Sequence, residues 1–119
     1  MKASATAKGV RMSARKMRLV IDQIRGINVN EAYAILQFSK KAASRPIDKV
    51  LRSAVANASV KAGDAGEPLD VDDLYVSKAY VDEGSTLRRW RARAYGRATP
   101  VLKRGSHVTI VVNTVDTEE

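Results

Sequence analysis

The 119-residue chain has no cysteine, one histidine and a net charge of +8. These features exclude a disulfide framework, thiolate chemistry and any triad or metal site that needs a second histidine. Hydrophobic residues make up 45% of the chain and aromatics only 5%, which excludes wholesale disorder and calls for a single core built from Val, Ile, Leu and Ala. The basic excess points to nucleic acid or an anionic membrane surface.

The charge is unevenly placed. Residues 1–26 hold seven Lys or Arg against Asp22 alone, whereas residues 61–83 hold seven acids against Lys61 and Lys78. Two basic ends of the sequence therefore flank an acidic connector.

Taken in order, residues 2–11 alternate small apolar and polar groups, as a short strand near a sheet edge does, and carry Lys8 and Arg11. Ser13 is placed to cap a helix. Met17, Val20, Ile21 and Ile24 then recur at i, i+3, i+4 and i+7, a single apolar stripe. Arg15, Arg18, Asp22 and Arg25 share the opposite face, and Gly26 suits the position just past the helix end. The basic face is either solvated surface or a phosphate contact; four bases within Arg11–Arg18, beside a capped helix start, favour the contact.

Asn28-Val29-Asn30-Glu31 resembles a capping box, with Glu31 reaching back to the Asn28 N–H. A short second helix follows, with Ala32, Ile35 and Leu36 inward. The run F-S-K-K-A-A-S-R-P reads as a turn into a third helix, with Pro46 tolerated only in its first turns. Ile47, Val50, Leu51, Ala54 and Ala58 mark the buried face of this central helix, and its small residues permit close approach to a sheet or to another helix. Asn57, a poor helix former, either hydrogen-bonds an irregular segment or lies exposed.

Residues 62–73 read as an acidic, Gly- and Pro-containing connector. Their carboxylate spacing matches no calcium loop, so a solvated turn is the better reading. A strand is expected over Leu74–Val81 and another over Val108–Val112, with an acidic tail beyond. Between the strands, Gly84–His107 carries seven Lys or Arg and no acid. The simplest form for such an insert is a long β-hairpin, about ten residues to each arm and on the order of 30 Å in reach. A flexible basic loop is the alternative. An isolated, self-repelling ribbon is marginal in water and calls for a polyanion to hold it.

The expected fold is α+β: three helices packed on a small antiparallel sheet with a long protruding β-hairpin. The whole chain, residues 1–119, reads as one domain, its basic arm spanning about 82–107. No apolar run reaches the roughly 18 residues of a membrane span, and no signal-peptide pattern precedes the first strand; a soluble intracellular protein is expected.

Catalytic constellations are missing. No phosphate-binding loop or dinucleotide-binding glycine pattern occurs, and the acids lie away from the basic stretches. His107 reads as a phosphate or RNA hydrogen-bonder or as a plain strand residue rather than a general base. The expectation is a non-enzyme with neither cofactor nor metal. Arginine offers a planar fork for phosphate and a face for bases. Trp90 and Tyr95, interleaved with Arg89, Arg91 and Arg93, offer stacking platforms, although Trp90 also suits a hydrophobic anchor of the hairpin. A free-standing RNA-binding regulator and an RNA-modifying enzyme are the competing readings; the second lacks catalytic side chains.

Five motifs then occur in order: V-R-M-S-A-R-K-M-R-L-V at Val10–Val20, R-S-A-V-A-N-A at Arg52–Ala58, Y-V-D-E-G at Tyr80–Gly84, R-A-Y-G-R-A at Arg93–Ala98 and L-K-R-G-S-H-V-T-I-V-V at Leu102–Val112. Together, over about Ala3 to Val112, they resemble large-subunit ribosomal protein family twenty-two in its bacterial or organellar form. The resemblance implies a structural protein of the large subunit, bound to 23S-type rRNA and supporting subunit assembly. Its globular domain is then expected near the exit of the nascent-peptide tunnel. The hairpin would thread inward to line the tunnel beside the extended loop of large-subunit protein four and touch the nascent peptide. Neither membrane nor homo-oligomer is expected, and the place of action is the cytoplasm or an organellar ribosome.

Carried over by position, Arg88, Arg89, Trp90 and Arg91 would form the tunnel-lining tip. Arg93, Tyr95, Gly96 and Arg97 would contact rRNA along the arm, Lys103, Arg104, Ser106 and His107 near its base, and Lys8, Arg11, Ser13, Arg15, Lys16 and Arg18 from the globular domain. The chain departs from the family pattern at Gly84-Ser85, where Gly-Pro is usual, and at Arg91-Ala92-Arg93, where a Pro usually precedes Arg-Ala. Trp90 and Arg91 also make the tip bulkier and more basic than usual.

Overall fold

The computed structural model describes residues 2–85, 87–92 and 98–114. Its elements run β1 (Lys2–Val10), α1 (Ala14–Ile24), α2 (Val29–Phe38), α3 (Ser44–Ala65), a single 3₁₀ turn (Val71–Asp73), β2 (Leu74–Glu83), β3 (Leu87–Ala92), β4 (Ala98–Lys103) and β5 (Ser106–Thr114). Three helices pack on a three-stranded antiparallel sheet of order β1-β5-β2, and β3 and β4 pair as a separate antiparallel ladder. This is the α+β architecture that the sequence implies.

β5 takes the central place because it can pair on both sides and bury one face. Val108, Ile110 and Val112 are fully buried; His107 and Thr109, on either side of Val108, are half-buried, and Val111 is buried as well. On β2 the alternation changes phase: Leu74 and Val76 are buried, then Ala79 and Val81. A bulge accounts for the shift. Val76 pairs Val112 and Lys78 pairs Val111, leaving Ser77 as the extra residue. The Ser77 hydroxyl donates to the Val111 carbonyl at 3.2 Å.

The apolar stripe of α1 (Met17, Val20, Ile21, Ile24) and that of α3 (Ile47, Val50, Leu51, Ala54, Ala58) are buried as their spacing requires. The close approach permitted by the alanines of α3 is made to the sheet, against Ala3, Ala5 and Ala7 of β1. Two local expectations need correction. First, α3 runs on to Ala65, so residues 62–65 are its last turn rather than connector; Gly66, at φ +67°, ends it in the left-handed region, its N–H turned back to the Ala62 and Gly63 carbonyls.

Second, the Asn28 cap is not completed by Glu31. Asn28 Oδ1 accepts the Asn30 N–H at 2.8 Å, and the amides of Asn28 and Asn30 donate to Asp72 O and Asp72 Oδ1, both at 2.7 Å. The nearby 3₁₀ turn offers both side chains a better acceptor. Gly26 follows the end of α1 as its position implies, at φ +82°, and its N–H goes to the Val76 carbonyl of β2 at 2.8 Å.

That bond belongs to a larger arrangement. An open sheet edge presents unpaired backbone groups, and both edges here are met by helix side chains. Along β2, Arg18 donates through Nε and Nη2 to Val81 O (3.2 and 2.8 Å), and Arg25 through Nε and Nη2 to Ala79 O (3.0 and 2.8 Å). Along β1, Asn57 Nδ2 donates to Ser4 O and Lys61 Nζ to Lys2 O, each at 2.8 Å. The out-of-place Asn57 is thus an edge clamp.

The ladder of β3 and β4 holds six residue pairs, from Leu87↔Lys103 to Ala92↔Ala98. It leaves the sheet between Glu83 and Ser106. The long axis of the molecule is 67 Å against 27 and 21 Å, and the radius of gyration is 17.7 Å. A compact chain of this length would have a radius of roughly 13–14 Å; the excess is the mark of the arm.

Candidate nucleic-acid interface

The interface is best built outward from the root of the arm, where two glycines meet. The Gly84 N–H donates to the Gly105 carbonyl at 3.0 Å, closing the ladder just below the arm. A Cβ on Gly105 would lie 2.9 Å from the Ser85 carbonyl oxygen, and one on Gly84 would lie 3.1 Å from the His107 ring. The backbones cross here too closely for side chains. The signal in the sequence is a glycine on each side of the basic insert.

His107 completes the root. Its Nδ1 accepts the N–H of Gly9 at 3.0 Å, and Gly9 sits at φ +71° where the register of β1 shifts. With Nδ1 an acceptor, the neutral ring carries its proton on Nε2. His107 therefore ties β1 to β5 and keeps one donor to offer outward.

Beside this root, Ser13, Ala14 and Arg15 at the start of α1 line a cleft with Glu83, Gly84, Arg104 and Gly105. The structure thus brings together Arg15 and Arg104, which are 89 positions apart in the sequence, and adds one carboxylate, Glu83. The Ser13 hydroxyl accepts the Lys16 N–H at 3.4 Å, the cap that its position implies. Lys8, Arg11, Arg15, Lys16 and Arg104 are exposed.

Two residues expected at the interface are committed elsewhere. Ser106 is fully buried, its hydroxyl 2.9 Å from the Met17 sulfur, so its side chain belongs to the core and offers nothing to a partner. Arg18 spends two guanidinium donors on the Val81 carbonyl, so it holds the sheet edge first and can meet a partner only with what remains. Ser106 is implied by the resemblance alone and Arg18 also by local charge, and neither says which partner across the fold a side chain meets.

On the arm, Arg88, Arg89, Trp90 and Arg91 lie in β3, facing Leu102, Val101, Pro100 and Thr99 in register. They stand on the ladder, next to the 93–97 connection rather than within it. Lys103 opposes Leu87 at the base of the same ladder. Arg93, Tyr95, Gly96 and Arg97 lie outside the described residues. Among the described residues, no group of three or more His, Cys, Asp or Glu is placed to hold a metal ion, and no helix is long and apolar enough to cross a membrane.

The cleft at the root of the arm brings Arg104 beside the cationic start of α1, a grouping suited to a polyanion. The family model for ribosomal protein L22p/L17e matches residues 5–113. The chain is 54% identical over 112 residues to large ribosomal subunit protein uL22 of Bifidobacterium animalis subsp. lactis, covering 94% of each chain. It is 58% identical over 111 residues to the protein of the same name from Lacticaseibacillus casei, covering 93% of this chain and 91% of that one. The match spans the globular domain and the arm alike, and the chain belongs to the ribosomal protein L22p/L17e family, whose members are structural and non-catalytic.

Proposed function

We propose that this chain binds large-subunit, 23S-type rRNA and supports assembly of the large subunit, with its domain at the surface near the tunnel exit and its arm threaded inward. One observation carries the reading: a two-stranded ladder projects from the sheet within a stretch, Gly84–His107, that has seven cations and no acid. Among the described residues the ribbon pairs only with itself, and its like charges repel; an isolated two-stranded ribbon is marginal in water, so a polyanion around it supplies what folding alone does not. Lys8, Arg11, Arg15, Lys16 and Arg104 then anchor the domain to rRNA. Lys103, Arg93, Tyr95, Gly96 and Arg97 act along the arm, and His107 donates from Nε2. Arg88, Arg89, Trp90 and Arg91 serve the tunnel wall, beside large-subunit protein four and the nascent peptide. The work is done in the cytoplasm, or in an organelle that has its own ribosomes.

The test is sedimentation of a cell extract on a gradient at moderate and then high salt, probing fractions for this chain. Co-migration with the large subunit until high salt strips bound proteins is expected. A peak in the light fractions at moderate salt would overturn the reading.

A further inference from the structure

The corner between α2 and α3 carries a feature that the arm and its root do not use. Phe38, the only phenylalanine in the chain, is 80% exposed. It is not a core residue slightly out of place. The buried face of α2 is Val29, Ala32 and Leu36, and at 100° per residue Phe38 stands about 200° round the helix from Leu36. A ring of this size left in water is the kind of apolar surface that marks a contact.

Its neighbours define the partner. Lys40, Lys41, Arg45 and Lys49 are all exposed. No acid occurs between Glu31 and Asp48, and Asp48 is engaged by Arg52 at 2.9 Å. The backbone of the corner is fixed: the Ser39 hydroxyl accepts the Lys41 N–H at 3.3 Å, the Ser44 N–H donates to the Lys41 carbonyl at 3.1 Å, and Ala43 and Ser44 are buried. The two lysines are thereby held within three residues of the ring. Arg45 and Lys49, four apart on α3, continue the positive surface. α3 itself begins with no side-chain cap and no acid in its first turn, so the positive end of its dipole adds to the field.

An exposed aromatic ring among cations, with no carboxylate free to oppose it, matches a single-stranded nucleic acid: a base for the ring and phosphates for the amines. We propose that this corner is a second RNA contact, in which Phe38 stacks on an unpaired rRNA base while Lys40, Lys41, Arg45 and Lys49 hold the flanking phosphates. The proposal rests on the rRNA-binding reading above and extends it to the face of the domain formed by α2 and α3.

The experiment is filter binding of the full chain to transcribed 23S-type rRNA across a salt series, with base-modification footprinting. Phe38→Ala is expected to weaken binding roughly tenfold and to expose one unpaired base, with the salt slope unchanged. Phe38→Trp should restore both. Lys40→Gln and Lys41→Gln should each lower the salt slope by about 0.7 to 1. Thermal melts of the four variants should match the parent, because all three positions are exposed. Failure of the parent chain itself to bind the rRNA would overturn the functional reading together with this one. Binding by the parent with an unchanged footprint and affinity for Phe38→Ala would overturn this inference alone. Loss by Phe38→Ala of a crosslink to a neighbouring protein in assembled subunits, with the rRNA footprint intact, would also overturn it and make the corner a protein-docking site.

Discussion

The domain and the arm use the same chemistry in opposite ways. In the domain, cations are turned on the protein's own backbone: Arg18 and Arg25 close one sheet edge, and Lys61, with Asn57, closes the other. Those bonds lie over a core that contains Met17, Ile21, Leu51, Leu74 and Ile110, all fully buried. The arm has a backbone ladder of six pairs, and among the described residues no third strand pairs with it. One half is stabilised by what it buries; on the proposed reading the other completes itself against rRNA. Basic residues in a chain like this therefore fall into two groups, and a count of charge does not separate them.

The contrast can be broken most severely from the domain side. Ile110→Ala in the central strand should cost about 2–5 kcal/mol, the usual range for truncating a buried Ile. A thermal melt would record it. Shortening the arm by deleting residues 87–102 should leave that melt almost unchanged while abolishing most rRNA affinity. A melt lowered as far as that of Ile110→Ala would mean that the arm belongs to the cooperative fold.

Next in size is the junction of the two halves. Gly105→Ala puts a methyl group 2.9 Å from the Ser85 carbonyl. Backbone must move to admit it, at a cost of roughly 1–3 kcal/mol by analogy with overpacked sites. The strain should re-aim the arm. The expected outcome is faster limited proteolysis within the arm and weaker assembly into subunits, with a smaller loss in the melt.

A smaller effect separates the two groups of arginine directly. Arg18 and Arg15 lie three residues apart on α1, but of the two Arg18 is the one bonded to a backbone acceptor, Val81 O. Arg18→Ala should cost about 1 kcal/mol, below the range for buried hydrogen bonds to charged groups because the side chain is exposed. Arg15→Ala should leave the melt alone and lower the salt slope of rRNA binding by about one. Equal effects of the two variants on both measurements would dissolve the distinction.

Most of the fold was legible because it rests on periodicity. The i, i+3, i+4 stripes of α1 and α3, the Ser13 cap and the two strands flanking the insert all follow from local pattern. What was not legible depends on partners far along the chain. Asn57 is explained only by Ser4 O, 53 residues away, and the amide of the capping Asn28 is held by Asp72 O, 44 residues on. The phase change in β2 comes from a one-residue bulge that leaves no mark in composition. At the interface, the charge pattern located the surface but not the exceptions. Ser106 sits inside a basic stretch and is buried, because its register on β5 is that of Val108 and Ile110. Phe38 opens a run that reads as a turn, and nothing local says which way a helix-terminal aromatic will face.

The smallest expected effect lies wholly within the domain, where α2 meets α3. The Arg52 guanidinium lies 5.1 Å from the centre of the Tyr33 ring and is bonded to Asp48 at 2.9 Å. Burial raises the Tyr33 phenol above its usual value of 10.0, partly opposed by the positive charge of Arg52 and reinforced by Asp48. A raised value in the fold means that the unfolded chain loses the Tyr33 proton first as pH climbs. The unfolded state then binds fewer protons, and stability falls with rising pH. This contribution is intact below pH 10 and is lost from there up through the folded value. Tyr33→Phe should remove that part of the alkaline slope and leave stability near neutral pH little changed. Arg52→Ala removes the opposing charge, so it should push the phenol higher still and widen the window. If urea melts from pH 8 to 11 ran parallel for the parent and for Tyr33→Phe, the phenol would be as free in the fold as in the unfolded chain, and the ring would not be held between the two helices.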